Sequence, residues 1–230
     1  MVTIVVLSIW IIFVSQFLMI YHRLPTRHLF LLKIIASFGF FAVGISAFLE
    51  NPNQIAIYFS YLLTGLVFGL LGDIGLGLKE IFPSQRQSWM AIGGFSFLIG
   101  HLFYIIVLYN IASYALYVVL PIAVVLSFFG FLLNHYVLHL QLGKMKAIIL
   151  LYTFISSVLL VLGIGNVLFD YSIVSLMLGI AVVLFVVSDY LLAILYFKKT
   201  EIKQRKAIKI INLSLYYIAQ YIIAMVLFIG

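Results

Sequence analysis

The chain reads as an all-α, polytopic membrane protein of eight transmembrane helices. Three observations carry that reading. Of its 230 residues 66% are hydrophobic and only 8% charged, where a soluble domain carries about 25% charged residues; the mean hydropathy is +1.30. Apolar runs of about 20 residues, the length that crosses a bilayer core, recur eight times. The basic residues between those runs all fall on one side of the implied membrane.

Thr3–Tyr21 is the first span. It has no basic leader region and no small-residue cleavage site, so a retained helix is expected and not a signal peptide. Leu29–Leu49, Ile55–Leu78 and Trp89–Tyr109 follow, with Pro25, Pro52 and Pro83 in the gaps before them. A proline there removes no hydrogen bond that a helix needs. The fifth span, Tyr114–Asn134, contains Pro121, which predicts a kink early in that helix. Lys146–Leu168, Ser172–Phe197 and Ile208–Ile229 complete the set. The short gaps leave no room for a soluble domain, so residues 1–230 are expected to form a single transmembrane domain.

A formal charge of +7 would suggest nucleic acid for a soluble protein, but here the placement of the charges matters more than their sum. With eight spans the loops alternate sides. One side receives Arg23, Arg27, Lys79, Arg86, Lys144 and the run Lys198, Lys199, Lys203, Arg205, Lys206 and Lys209. Lys33 and Lys146 sit in helix ends on that side, which accounts for all 13 Lys and Arg. The opposite loops hold Glu50 and Asp170 and no cation. Basic loops mark the cytoplasmic side, so both termini are expected outside, in the cell membrane. The run 198–209 reads as a topology signal beside anionic headgroups. The bilayer is then the partner, and nucleic acid is not. The chain has no cysteine, which excludes disulfides, thiolate metal sites and cysteine nucleophiles.

Few ionisable residues remain inside the spans: Lys33, Asp73, His101 and Asp189, with Lys146 near an end. A charge at the centre of a membrane helix costs roughly 2.5–3.5 kcal/mol on insertion scales, and such residues usually face the bundle interior. Asp73 lies six residues before Lys79, which places it roughly 9 Å below the cytoplasmic boundary. Asp189 comes out at roughly 14 Å, His101 at roughly 18 Å, Tyr217 at roughly 12 Å and Gln220 at roughly 16 Å. These polar groups, carried by four helices, therefore share one slab in the cytoplasmic half, as a common cavity opening to that side predicts. The bland alternative is a set of structural hydrogen bonds between helices. The shared depth weighs against it for the two aspartates and for His101, and leaves Tyr217 and Gln220 balanced. Lys33, roughly 7 Å from its helix start, is close enough to the interface to snorkel, and taken alone snorkelling is the expected reading.

Asp73 to His101 is 28 residues, and so is Asp189 to Tyr217. A shift of 116 lays "VFGLLGDIGLGL" on "VLFVVSDYLLAI" and carries His101 onto Tyr217 and Tyr104 onto Gln220. Apolar helices match one another cheaply, so a four-plus-four duplication and chance are both open. A duplication would relate two parallel halves about the membrane normal. The glycines of "GDIGLG" and "GGFSFLIGH" suit close helix packing, and no Walker pattern accompanies them. His135 and His139, four apart, have metal-ligand spacing, but no carboxylate accompanies them and interfacial histidines are expected.

"GLVFGLLGDIGL", "GHLFY", "GIAVVLFVVSDYLLA" and "YYIAQYIIA" resemble, in order and spacing, the signature segments of the YhhN-like family of membrane lysoplasmalogenases. The resemblance covers essentially the whole chain. It implies eight transmembrane helices and hydrolysis of the vinyl ether bond of lysoplasmalogens, giving a fatty aldehyde and a glycerophospho-alcohol. Family members usually have Lys-Pro in span two, whereas here Ile34 follows Lys33. The implied site has Asp73 and Asp189 as the catalytic carboxylates, with no assignment of which is the acid. His101 and Tyr217 would orient them or the water, Tyr104 and Gln220 would hold ether or glycerol oxygens, and Lys33 would attract the lipid phosphate. The implied partner is a lysophospholipid, and the chemistry needs no metal and no organic cofactor. Two buried acids also suit a proton-coupled transporter, and a non-catalytic lipid-binding protein is a further rival. An intramembrane aspartyl protease fits less well, because residues 69–73 read "GLLGD" in place of Gly-x-Gly-Asp.

Overall fold

The computed structural model describes residues 1–50 and 56–229. Pro52 and Ile55, the predicted start of the third span, lie outside the described residues. Eight α-helices account for nearly all of the described chain, and no strand occurs among the described residues. They are α1 (Val2–Ile20), α2 (Thr26–Glu50), α3 (Ala56–Ile81), α4 (Arg86–Ile111), α5 (Leu116–Leu132), α6 (Lys146–Phe169), α7 (Ile173–Phe197) and α8 (Ile202–Ile229). All eight are long and apolar enough to cross a membrane, as the hydropathy pattern predicts.

Local chemistry sets the helix ends. A 3₁₀ turn, Tyr21–Arg23, follows α1, and the carbonyl of Pro25 accepts the first bond of α2 from the Leu29 amide at 3.0 Å. Pro83 occupies the first position of the 3₁₀ turn Pro83–Gln85 before α4, where its missing N–H removes no bond. Ser172 caps α7, its hydroxyl accepting from the Ser175 amide at 3.0 Å. At the C-terminal end of α2 the Glu50 carboxylate takes the N-terminal ammonium and the Val2 amide, each at 2.5 Å. That bond ties the start of α1 to the end of α2. α5 runs unbroken through Pro121 and passes into a π-helical turn, Leu133–Val137, that contains His135.

Two expectations about the basic loops are corrected. The run 198–209 is not one loop: α8 begins at Ile202, so Lys203 to Lys209 are helical. Arg, Lys and Gln are good helix formers, and Arg205 donates to the Leu195 carbonyl at 2.8 Å, where the end of α7 lacks in-helix partners. Lys79 is no loop cation either. It lies inside α3 with its side chain 1% exposed, 3.6 Å from Glu80, one turn beyond Gly75 on the same helix face.

The chain divides into two compact units, Met1–Val107 with Gln220–Gly230 and Leu108–Ala219. In the first, α1 packs on α2 and α2 on α3. α3 and α4 approach through glycine: a Cβ on Gly75 would lie 2.8 Å from the Gly93 amide nitrogen, and one on Gly72 2.7 Å from the Phe97 ring. This close approach is what the glycine-rich segments predict, with Gly94 the exception, since nothing lies within 4 Å of its would-be Cβ. In the second unit α6 packs on both α5 and α7, and a Cβ on Gly179 would lie 3.0 Å from the Gly163 carbonyl. Leucine, isoleucine, valine and phenylalanine remain exposed along the helices, Ile9 and Phe128 each at 58%. An apolar exterior of that extent fits hydrocarbon and would aggregate in water.

Candidate active site

In the first unit α3 carries Asp73, whose side chain is 3% exposed. α2 supplies two partners one turn apart on the same face. The Lys33 ammonium lies 2.8 Å from Oδ1, and the Ser37 hydroxyl 2.5 Å from Oδ2. Both carboxylate oxygens are therefore engaged. The snorkelling expected of Lys33 is corrected here, because a buried carboxylate within reach is a better partner for an ammonium than the interface several ångströms away. Tyr21, buried at the end of α1, stands within electrostatic reach of Lys33 and of Glu80.

On α4, His101 is fully buried, and one turn on Tyr104 is buried as well. The Tyr104 hydroxyl donates to Gln220 Oε1 on α8 at 2.9 Å. These two are residues that the 116-residue shift superimposes. Gly65 on α3 makes room for the Tyr104 ring, since a Cβ there would lie 2.8 Å from the ring's Cδ1.

The second unit holds Asp189 on α7. The residue is half-buried with its Oδ2 enclosed, and it shares a side-chain hydrogen bond with Tyr152 of α6. Its neighbour Ser188 is locked to α8. Asn212 Nδ2 donates to the Ser188 carbonyl at 2.6 Å and to its Oγ at 2.8 Å, and Ser188 Oγ donates to the Asn212 carbonyl at 3.1 Å. Tyr217 is buried further along α8, its ring 5.3 Å from that of Tyr216.

The predicted residues thus fall into three groups. Lys33 joins Asp73, Tyr104 joins Gln220 beside His101 on its helix, and Asp189 and Tyr217 belong to the other unit. Three contributors went unrecognised in the sequence: Ser37, Tyr152 and the Ser188–Asn212 lock. Ser37 is four residues after Lys33, a spacing that places it on the same face. Tyr152 is six residues after Lys146, roughly 9 Å deep and so within the polar slab. Depth therefore pointed to Tyr152, but serine and tyrosine are too ordinary in membrane helices to stand out.

Chemically, the first unit offers a carboxylate clamped between a cation and a hydroxyl, with a neutral tyrosine–amide pair. The second offers a carboxyl facing a phenol. Neither curated proteins nor solved structures give a match to the chain. The profile of the YhhN family matches residues 28–227, from the first turn of α2 to the last turn of α8, and the chain accordingly belongs to the YhhN family.

Proposed function

We propose that this membrane protein hydrolyses the vinyl ether bond of lysoplasmalogens, with a lysophospholipid as its substrate. The observation that carries the reading is Asp73, buried inside a membrane helix and held by Lys33 and Ser37, in a chain of the YhhN family. Intramembrane charges are costly and mark sites.

The chemistry asks for two carboxyl groups in different states. Protonation of the alkene carbon gives an oxocarbenium ion, water adds to it, and the hemiacetal collapses to aldehyde and alcohol. One carboxyl gives the proton; the other stabilises the cation and activates the water. Glycosidases divide the same labour between two carboxyls, and unequal environments drive such a pair apart. Asp73 and Asp189 take these roles. His101 and Tyr217 orient the carboxyls or the water, and Tyr104 with Gln220 holds the ether or glycerol oxygens. We place the protein in the cell membrane with both termini outside and the basic segments cytoplasmic.

The decisive assay incubates the purified protein in detergent with lysoplasmalogen and measures released aldehyde, beside Asp73→Asn and Asp189→Asn. Aldehyde from the wild type alone is expected. A folded wild type that releases none would remove the reaction, and full activity in either variant would remove the site. Proton-coupled uptake into sealed vesicles would favour a transporter instead.

A further inference from the structure

Ser37 has one proton and two acceptors. Its Oγ lies 2.5 Å from Asp73 Oδ2 and 2.9 Å from the carbonyl oxygen of Lys33, one turn back on α2. When Asp73 is a carboxylate, Ser37 donates to Oδ2. When Oδ2 carries a proton, the contact reverses: the carboxyl donates to Ser37 Oγ, and the Ser37 proton turns to the Lys33 carbonyl. Both states satisfy every group in a buried site, where an unmade hydrogen bond is expensive. Lys33 holds the other oxygen, Oδ1, at 2.8 Å. Tyr21 lies within electrostatic reach of Lys33 and of Glu80. From α8 the Tyr221 hydroxyl reaches the Ala36 carbonyl at 3.4 Å, next to Ser37, and α4 carries the buried His101.

We propose that Lys33 and Ser37 are positioning residues that present Asp73 as the carboxylate taking the proton from the attacking water, with Ser37 reversing its hydrogen bond as that proton arrives. The proposal rests on the ether-hydrolase reading, and it leaves proton donation to the general acid of that reading. The step balances. The acid gives its proton to the alkene carbon; the water oxygen bonds to the oxocarbenium carbon and loses a proton to Asp73. As the hemiacetal collapses, its hydroxyl proton returns to the acid while Asp73 protonates the departing ether oxygen. Acid and carboxylate finish as they began.

The test measures kcat and KM of aldehyde release for the protein in detergent, with Ser37→Ala, Ser37→Thr, Lys33→Met and Lys33→Arg. Ser37→Ala should lower kcat about tenfold or more with KM within about twofold, and Ser37→Thr should recover most of the loss. Lys33→Met should likewise lower kcat about tenfold or more with KM within about twofold, and Lys33→Arg should recover part of the loss. A wild-type kcat in Ser37→Ala or in Lys33→Met, or a fall carried by KM in place of kcat, overturns the proposal while the wild type still turns over. A wild type that releases no aldehyde overturns the hydrolase reading itself and the proposal with it. Should Lys33→Met fail to fold, Lys33→Gln makes the same comparison, and Ser37→Ala decides alone.

Discussion

The lock beside Asp189 can be dissected bond by bond. Ser188 and Asn212 share three side-chain hydrogen bonds: Nδ2 to the Ser188 carbonyl, Nδ2 to Oγ, and Oγ to the Asn212 carbonyl. Asn212→Ala deletes the first two and Ser188→Ala the last two, so the Nδ2–Oγ bond is common to both. Hydrogen bonds between membrane helices average about 0.6 kcal/mol. Each single substitution should therefore destabilise by about 1.2 kcal/mol and the double substitution by about 1.8 kcal/mol. The sum of the singles exceeds the double by about 0.6 kcal/mol, the shared bond. Both carbonyls belong to helices, so the backbone supplies a second partner and no full desolvation penalty is added. The assay is reversible unfolding in mixed micelles for the four proteins of the cycle. Strict additivity would refute the shared bond. Because Ser188 precedes Asp189, both singles should also lower kcat of aldehyde release more than they raise KM.

Three further outcomes follow from the geometry. Gly75→Ala should destabilise by about 1–3 kcal/mol in detergent melting, because its Cβ would meet the Gly93 backbone at 2.8 Å, whereas Gly94→Ala, facing open space, should be neutral or slightly stabilising. Hydrogen bonding by Ser113, side chain and backbone, holds the Asp170 carboxyl below its usual range in the loop after α6. That stability is present above the ordinary aspartate range and lost as pH falls through the lowered folded value, so Asp170→Asn should flatten the acid side of a stability–pH curve. Burial, with Asp170 adding to it, pushes the Tyr114 phenol up to about 12. Its contribution is complete below the ordinary tyrosine value and lost as pH rises towards about 12, so Tyr114→Phe should remove one late-ionising phenol from an ultraviolet titration.

Much of this molecule was legible from residue type and spacing. A helix in lipid must satisfy its own backbone, so runs of apolar residues fixed the number, order and approximate length of the helices. Insertion cost made Asp73 and Asp189 conspicuous, and rise per residue placed them at depth. The ends were less legible. α8 reaches back through its basic run because Lys and Arg continue a helix past the hydrocarbon edge, and hydropathy sees only that edge.

Partners belonged to the tertiary structure. Depth tells how far along its helix a residue lies, but not the azimuth at which it faces a neighbour. Lys33, taken alone, could reach the interface; only the packing of α2 on α3 brings its ammonium to Asp73, with Ser37 one turn on to hold the other oxygen. The 116-residue shift laid Tyr104 on Gln220 on paper, and the fold makes them a hydrogen bond at 2.9 Å. Tyr152 and Asn212 were invisible as contributors for the same reason: an uncharged polar side chain gains meaning in a membrane helix only from the helix that faces it.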